Sequence, residues 1–117
     1  MTIELGDDHG ELHRARALVR ERLAGLPAGL AEDVVLVADE LTSNALRHGR
    51  APRRVRLVRG DGFVRFEAED GSVIPARRTE GTTTGGRGMT LVHVLSTRWG
   101  QRVTEHGKVV WAEFDLA

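Results

Sequence analysis

The chain contains no cysteine. That absence excludes a disulfide framework, a thiol nucleophile and a thiolate metal site. No apolar run approaches the roughly 18 residues of a membrane-crossing helix. The opening Met1-Thr2-Ile3-Glu4-Leu5-Gly6-Asp7-Asp8 is too acidic and polar for a secretory signal. A soluble, cytoplasmic protein without membrane contact is therefore expected. Net charge is also lacking, since 17 basic residues balance 17 acidic ones. This removes any global pull toward nucleic acid or anionic lipid. Lysine is nearly missing: Lys108 is the only one, and every other basic residue is arginine. Aromatic residues make up 4% of the chain. None is interleaved with the arginine run Arg47, Arg50, Arg53, Arg54, Arg56 and Arg59, as base stacking along a nucleic acid would require. That run reads as a solvated strand face or a patch for an acidic partner protein, with no direct nucleic-acid contact. His9, His13, His48, His93 and His106 are too scattered for a metal cluster. No repeat, low-complexity tract or Pro/Ser-rich linker divides the chain.

What is present fits one domain over residues 1–117. The chain is 40% hydrophobic and 29% charged, a globular balance, and a domain of this length buries about two-thirds of its unfolded surface. From Asp8 to about Leu26, Leu12, Ala15, Val19, Leu23 and Leu26 recur at helical steps, and Gly25 and Pro27 end the pattern. A second helix is expected from about Leu30 to Arg47, with Val34, Val35, Ala38, Leu41, Thr42 and Ala45 on one stripe. Gly49 is placed to cap it, with Pro52 just beyond. The period then becomes two in Arg54–Leu57 and Val64–Glu69, half-buried strands joined at Gly60-Asp61-Gly62. Gly71 to Gly88 has little apolar content, and a loop of that length in a compact domain is often a functional lid. A third helix follows, roughly Gly88 to Ser96. Two last strands, near Arg98–Thr104 and Lys108–Leu116, flank Glu105-His106-Gly107, with Val110, Ala112, Phe114 and Leu116 on one face. The economical arrangement is a two-layer α/β sandwich with helices on one face of a mixed sheet.

Three short patterns carry chemistry. Glu40, Asn44 and His48 stand four residues apart on the second helix and so line one edge, beside the apolar stripe. Asn44 offers an oxygen to a hard cation such as Mg²⁺, and Glu40 is placed to orient or deprotonate a hydroxyl or water. A lone Glu/Asn pair is more often an ordinary exposed helix edge. Asp70 ends the second expected strand ahead of Gly71 and Ser72, where its carboxylate can accept from a ligand amino group, although a simple strand-terminating turn explains the same residues. Gly85-Gly86-Arg87-Gly88 precedes the third helix, so glycine backbone and helix N–H groups can approach an anion. It is not a full G-x-G-x-x-G, because Leu91 stands where the last glycine would be.

The order and spacing of the three give them force. Val37-Ala38-Asp39-Glu40-Leu41-Thr42-Ser43-Asn44-Ala45-Leu46-Arg47-His48-Gly49 closely resembles the N-box of the GHKL ATPase superfamily. Glu four residues before Asn is similar to the variant in bacterial anti-sigma-factor serine kinases. Asp70 falls where that family has its adenine-recognising aspartate. Gly86-Arg87-Gly88-Met89 resembles the glycine box of the ATP lid, and Gly107-Lys108-Val109-Val110-Trp111 looks like the closing strand. The likeness runs from the first helix to the C-terminus and is greatest to short ATP-binding regulators of actinobacterial type, in which Trp99-Gly100 has a counterpart. Where the family pattern is D-x-G-x-G, this chain has Asp70-Gly71-Ser72-Val73-Ile74, without either later glycine.

The resemblance implies a Bergerat-type sandwich that binds ATP and Mg²⁺. It implies Glu40 as the catalytic carboxylate and Asn44 as the metal ligand. Asn44, His48, Asp70, Ser72, Gly86, Arg87, Gly88 and Met89 are the implied nucleotide-binding residues. The activity implied is phosphorylation of a serine or threonine on an antagonist protein of the anti-anti-sigma type, coupled to sequestration of a sigma factor and so to transcription regulation. A homodimer is a compatible assembly. The alternative is a nucleotide-gated partner-binding module without kinase activity. Glu40 favours the kinase, because a pure binder has no need of that carboxylate, and the altered segment after Asp70 favours the binder. A solitary histidine-kinase-like ATPase domain is a weaker reading, because the Glu40 spacing differs and no phosphoacceptor helix is expected ahead of residue 1.

Overall fold

The period-two segments form strands and the three- and four-residue repeats form helices in the computed structural model, which describes residues 1–8, 10–74 and 88–116. In chain order the elements are β1 (Thr2–Leu5), α1 (Gly10–Arg22), α2 (Ala28–Arg47), β2 (Arg53–Gly60), β3 (Phe63–Asp70), α3 (Gly88–Leu95), β4 (Arg98–Thr104) and β5 (Gly107–Asp115). The strands make one sheet in the order β1-β2-β3-β5-β4. Every pairing in it is antiparallel, which corrects the expected mixed sheet. The cause is topological. The second hairpin docks with β5, not β4, beside β3, and β4 in that place would have run parallel to β3.

The first strand is absent from the sequence pattern because its acidic surroundings hide a short alternation. Ile3 and Leu5 turn toward the helices, and β1 adds to the edge of β2 with Thr2 opposite Arg56 and Leu5 opposite Arg53. The Met1 ammonium donates to the Leu57 carbonyl at 3.0 Å and extends that edge. α1 stops at Arg22, short of Leu26. Two tight turns, Leu23 N–H to Arg20 O and Leu26 N–H to Leu23 O, finish the segment before Pro27.

α2 packs between α1 and α3 and lies across β3. Its stripe of Val34, Val35, Ala38, Leu41, Thr42 and Ala45 is buried, as its spacing requires. It faces Val55 and Leu57 of β2, Val64, Phe66 and Ala68 of β3, and Val110, Ala112 and Phe114 of β5. Each large side chain so buried contributes about 1.5–3 kcal/mol, and this single layer of contacts holds the two layers together. The other sheet face is charged. There the Arg65 guanidinium lies 4.4 Å from the centroid of the Trp111 ring, Arg54 pairs with Glu69, and Arg98 pairs with Glu113 and Asp115. The arginine run is thus partly tied within the molecule: Arg59 donates to the carbonyls of Arg22 and Ala24, and Arg53 pairs with Asp7 while donating to the carbonyls of Ala45 and Gly49. Arg53 therefore satisfies the open carbonyl end of α2 and places positive charge there, where the helix dipole favours it. Among the described residues no helix is long and apolar enough to cross a membrane.

Candidate functional site

Asp70 is the last residue of β3 and has the same parity as Val64, Phe66 and Ala68, so it points to the helix-covered side. Its cross-strand partner is Lys108, which shares the inward parity of Val110, Ala112 and Phe114 on β5. The Lys108 ammonium lies 3.3 Å from Oδ1 and 3.1 Å from Oδ2 of Asp70. Both residues are buried, at 5% and 4% relative exposure. The Ser72 N–H donates to Asp70 Oδ1 at 2.7 Å, and Ser72 Oγ accepts from the Ile74 N–H at 3.1 Å. Two successive side-chain turns therefore shape the segment in which the family pattern has glycines.

The end of α2 closes on this carboxylate. His48 is the C-cap, and the Gly49 N–H donates to the carbonyls of Ala45 (3.1 Å) and Asn44 (3.3 Å). Gly49 thus serves the helix end as expected, but its φ is not positive; what it supplies is space for Asp70. The Gly71 N–H donates to the Arg50 carbonyl at 2.6 Å, tying the end of β3 to the segment after α2. On the other side Gly107 presses on β3 so closely that a β-carbon there would collide with the Asp70 carbonyl.

On α2, Glu40 and Asn44 are half-buried and His48 is exposed. The Asn44 amide nitrogen donates to the Met89 sulfur at 3.8 Å. With that end of the amide held, the carbonyl oxygen is the end that remains for a cation. Met89 itself is fully buried in the core, where its sulfur accepts from Asn44 and links α3 to α2. Gly88 opens α3, whereas Gly86 and Arg87, and most of the expected lid, lie outside the described residues. The structure thus brings Asn44, Asp70, Ser72 and Met89 to the end of the sheet where α2 finishes and α3 begins, with Glu40 one turn back along α2.

Lys108 is the residue that motif reading passes over. The signal was present, because the sole lysine falls on the core parity of β5, where a charge requires a partner. A surface depression on the charged sheet face around Arg54, Arg56, Glu67 and Glu69, and another at the sheet edge beside α1 around Arg22, Arg56 and Arg59, contain none of the expected site residues. Among the described residues no group of three or more His, Cys, Asp or Glu side chains is arranged to hold a metal. The donor set nevertheless fits Mg²⁺, which ordinarily takes few protein oxygens and fills its shell with phosphate oxygens and water.

The family model described as the histidine kinase-like ATPase domain matches residues 7–114. A search of curated proteins found no match. Among solved structures, the RsbU and RsbW domains of Rv1364c from Mycobacterium tuberculosis align with a TM-score of 0.77 at 22% identity, over 99% of this chain and 32% of that one. The blue-light activated histidine kinase EL346 of Erythrobacter litoralis aligns with a TM-score of 0.63 at 20% identity, over 97% of this chain and 42% of that one. The histidine kinase domain of the same protein gives 0.60 at 20% identity, over 92% and 60%. The chain spans less than two-thirds of each of these structures, and the likeness to them is one of fold.

Proposed function

We propose that this chain, which belongs to the histidine kinase-like ATPase family, is an ATP-dependent regulator of the anti-sigma-factor type. In this reading residues 1–117 act as one cytoplasmic ATPase domain. It phosphorylates a serine or threonine of an antagonist protein and sequesters a sigma factor. The observation that carries the reading is the burial of Asp70 against the last turn of α2, the helix that also bears Glu40 and Asn44. That contact groups an acceptor for a base, an amide oxygen for a cation and a half-buried carboxylate at one end of the fold.

Asp70 takes the adenine amino group, and Asn44 takes Mg²⁺, which would neutralise phosphate charge. His48, Ser72 and the segment Gly86-Arg87-Gly88-Met89 complete the nucleotide site, the last by sequence pattern. In the transfer step the hydroxyl oxygen of the antagonist attacks the γ-phosphorus as the bond to the β,γ-bridging oxygen breaks. ADP leaves with that electron pair, and the hydroxyl proton passes to Glu40. Such transfer depends mainly on positioning and charge neutralisation, so a short chain suffices.

A second reading, a nucleotide-gated binding module without transfer, is favoured by the altered segment after Asp70, where side-chain turns to the Ser72 and Ile74 N–H groups stand in place of the family's glycines. Labelled ATP, incubated with the chain and candidate antagonists while nucleotide affinity is measured in parallel, separates the two. Label on an antagonist serine or threonine is expected. Intact ATP binding with no transfer to any antagonist would instead establish the module.

A further inference from the structure

Asp70 and Lys108 are partners across two strands and form a buried ion pair on the core side of the sheet. We propose that they act as one purine-reading couple, in which Lys108 donates a hydrogen bond to ring nitrogen N1 of adenine while Asp70 accepts from the exocyclic amino group. The proposal rests on the nucleotide-binding reading above and adds Lys108 as a residue that determines base specificity.

An ionised carboxylate has roughly four lone-pair sites and an ammonium three protons. The Ser72 N–H and one ammonium proton both go to Asp70 Oδ1, while Oδ2 lies 3.1 Å from the ammonium as its ion-pair partner. Among the described residues this leaves the couple acceptor capacity on Asp70 Oδ2 and donor capacity on Lys108. The Watson–Crick edge of adenine has the matching pattern, an amino donor beside a ring acceptor. Guanine has the reverse, so in the same pose its O6 would face the carboxylate and its N1–H the ammonium.

If the base displaced Lys108 to reach Asp70, an ammonium would be left unpaired in a dry setting. That cost exceeds what one hydrogen bond from a neutral amino group returns. The couple therefore stays closed, and the base is read by both partners together.

The residue type matters as well. All other basic residues of this chain are arginines. A guanidinium facing Asp70 would occupy both carboxylate oxygens with parallel N–H bonds and present no compact donor to a ring nitrogen. An ammonium is a point donor that keeps one proton to give. A β-carbon at Gly107 would collide with the Asp70 carbonyl, so the start of β5, which carries Lys108, packs closely against the end of β3.

The test compares Mg·ATP with Mg·1-deaza-ATP, in which N1 is replaced by C–H, by calorimetry on the unmodified full chain. A loss of about 10- to 100-fold in affinity is expected, the size of one hydrogen bond to a charged group, and Mg·GTP should bind more weakly than either. Lys108→Met should weaken ATP and bind ATP and its 1-deaza analogue equally. The comparison on the unmodified chain stands even if that variant folds poorly. ATP binding with no difference between the two nucleotides would overturn the role of Lys108 while leaving the nucleotide site intact. Tighter ATP binding by Lys108→Met would show that the lysine plugs the site instead of reading the base. Absence of ATP binding by the unmodified chain would remove both the inference and the function on which it rests.

Discussion

Gly49 has no room for a side chain because Asp70 occupies that space: a β-carbon on Gly49 would lie 2.5 Å from Asp70 Cγ and 2.6 Å from the Ala45 carbonyl oxygen. A helix end and a strand end meet here at backbone distance. The residue that ends the N-box pattern and the aspartate that follows it by 21 positions are thus one physical unit.

Gly49→Ala is accordingly expected to destabilise the fold by about 1–3 kcal/mol, the usual cost of overpacking. It should also weaken nucleotide binding, since the carboxylate must shift to admit the methyl group. Chemical denaturation and calorimetry of the variant read both effects. Unchanged stability together with unchanged ATP affinity would show that the close approach is dispensable.

Asn44→Ala should abolish most of the Mg²⁺-dependent part of ATP affinity. The reason is the orientation of the amide, whose nitrogen is held on the Met89 sulfur. Titrations of both proteins with ATP, in Mg²⁺ and in EDTA, give the comparison. Equal metal dependence in the two would take Asn44 out of the site.

Glu40→Gln keeps the size of the side chain and removes its charge and basicity. ATP binding should persist, while transfer to an antagonist falls by about 10²–10⁴-fold, the range for loss of a general base. Labelled-phosphate transfer by wild type and variant decides it. Equal rates would leave a kinase whose base lies elsewhere.

Glu11, on the first turn of α1, predicts a pH effect away from the site. The hydrogen bond from Arg14, and next the one from the Gly6 N–H, hold its carboxyl below the ordinary value of 4.5. A carboxyl lowered on folding adds stability above its unfolded value and loses it as the pH falls through the folded one. Glu11→Gln should therefore lower the melting temperature slightly at neutral pH, and the difference should vanish in acid below 4.5. Melting curves across that range check the sign. A difference that grows on acidification would contradict it.

Much of this molecule is local in origin and was readable in the chain. The stripe on α2 and the alternation in β2 and β3 are set by side-chain periods of 3.6 and 2, which need no tertiary partner to be seen. The spacing of Glu40, Asn44 and Asp70 is likewise a property of the sequence, and it suffices to indicate the family. β1 was hidden because four residues give too short an alternation among acidic neighbours, and its strand character comes from the free edge of β2. The direction of the sheet was hidden too, because no residue pattern says which strand of a hairpin docks first.

The sequence by itself determined the helices, the hairpins, the buried stripe and the three motifs, because these depend on the order of polar and apolar groups along a few turns of chain. Only the tertiary structure decided that Asp70 would share its carboxylate with Lys108, 38 residues away. It likewise decided that Gly49 would give up its side chain to make room and that Met89 would lie beneath Asn44. The physical reason is burial: a charge that water would solvate on its own must find its counter-ion once the sheet and α2 close over it. Which residue serves as that counter-ion is fixed by strand register, which distant contacts set.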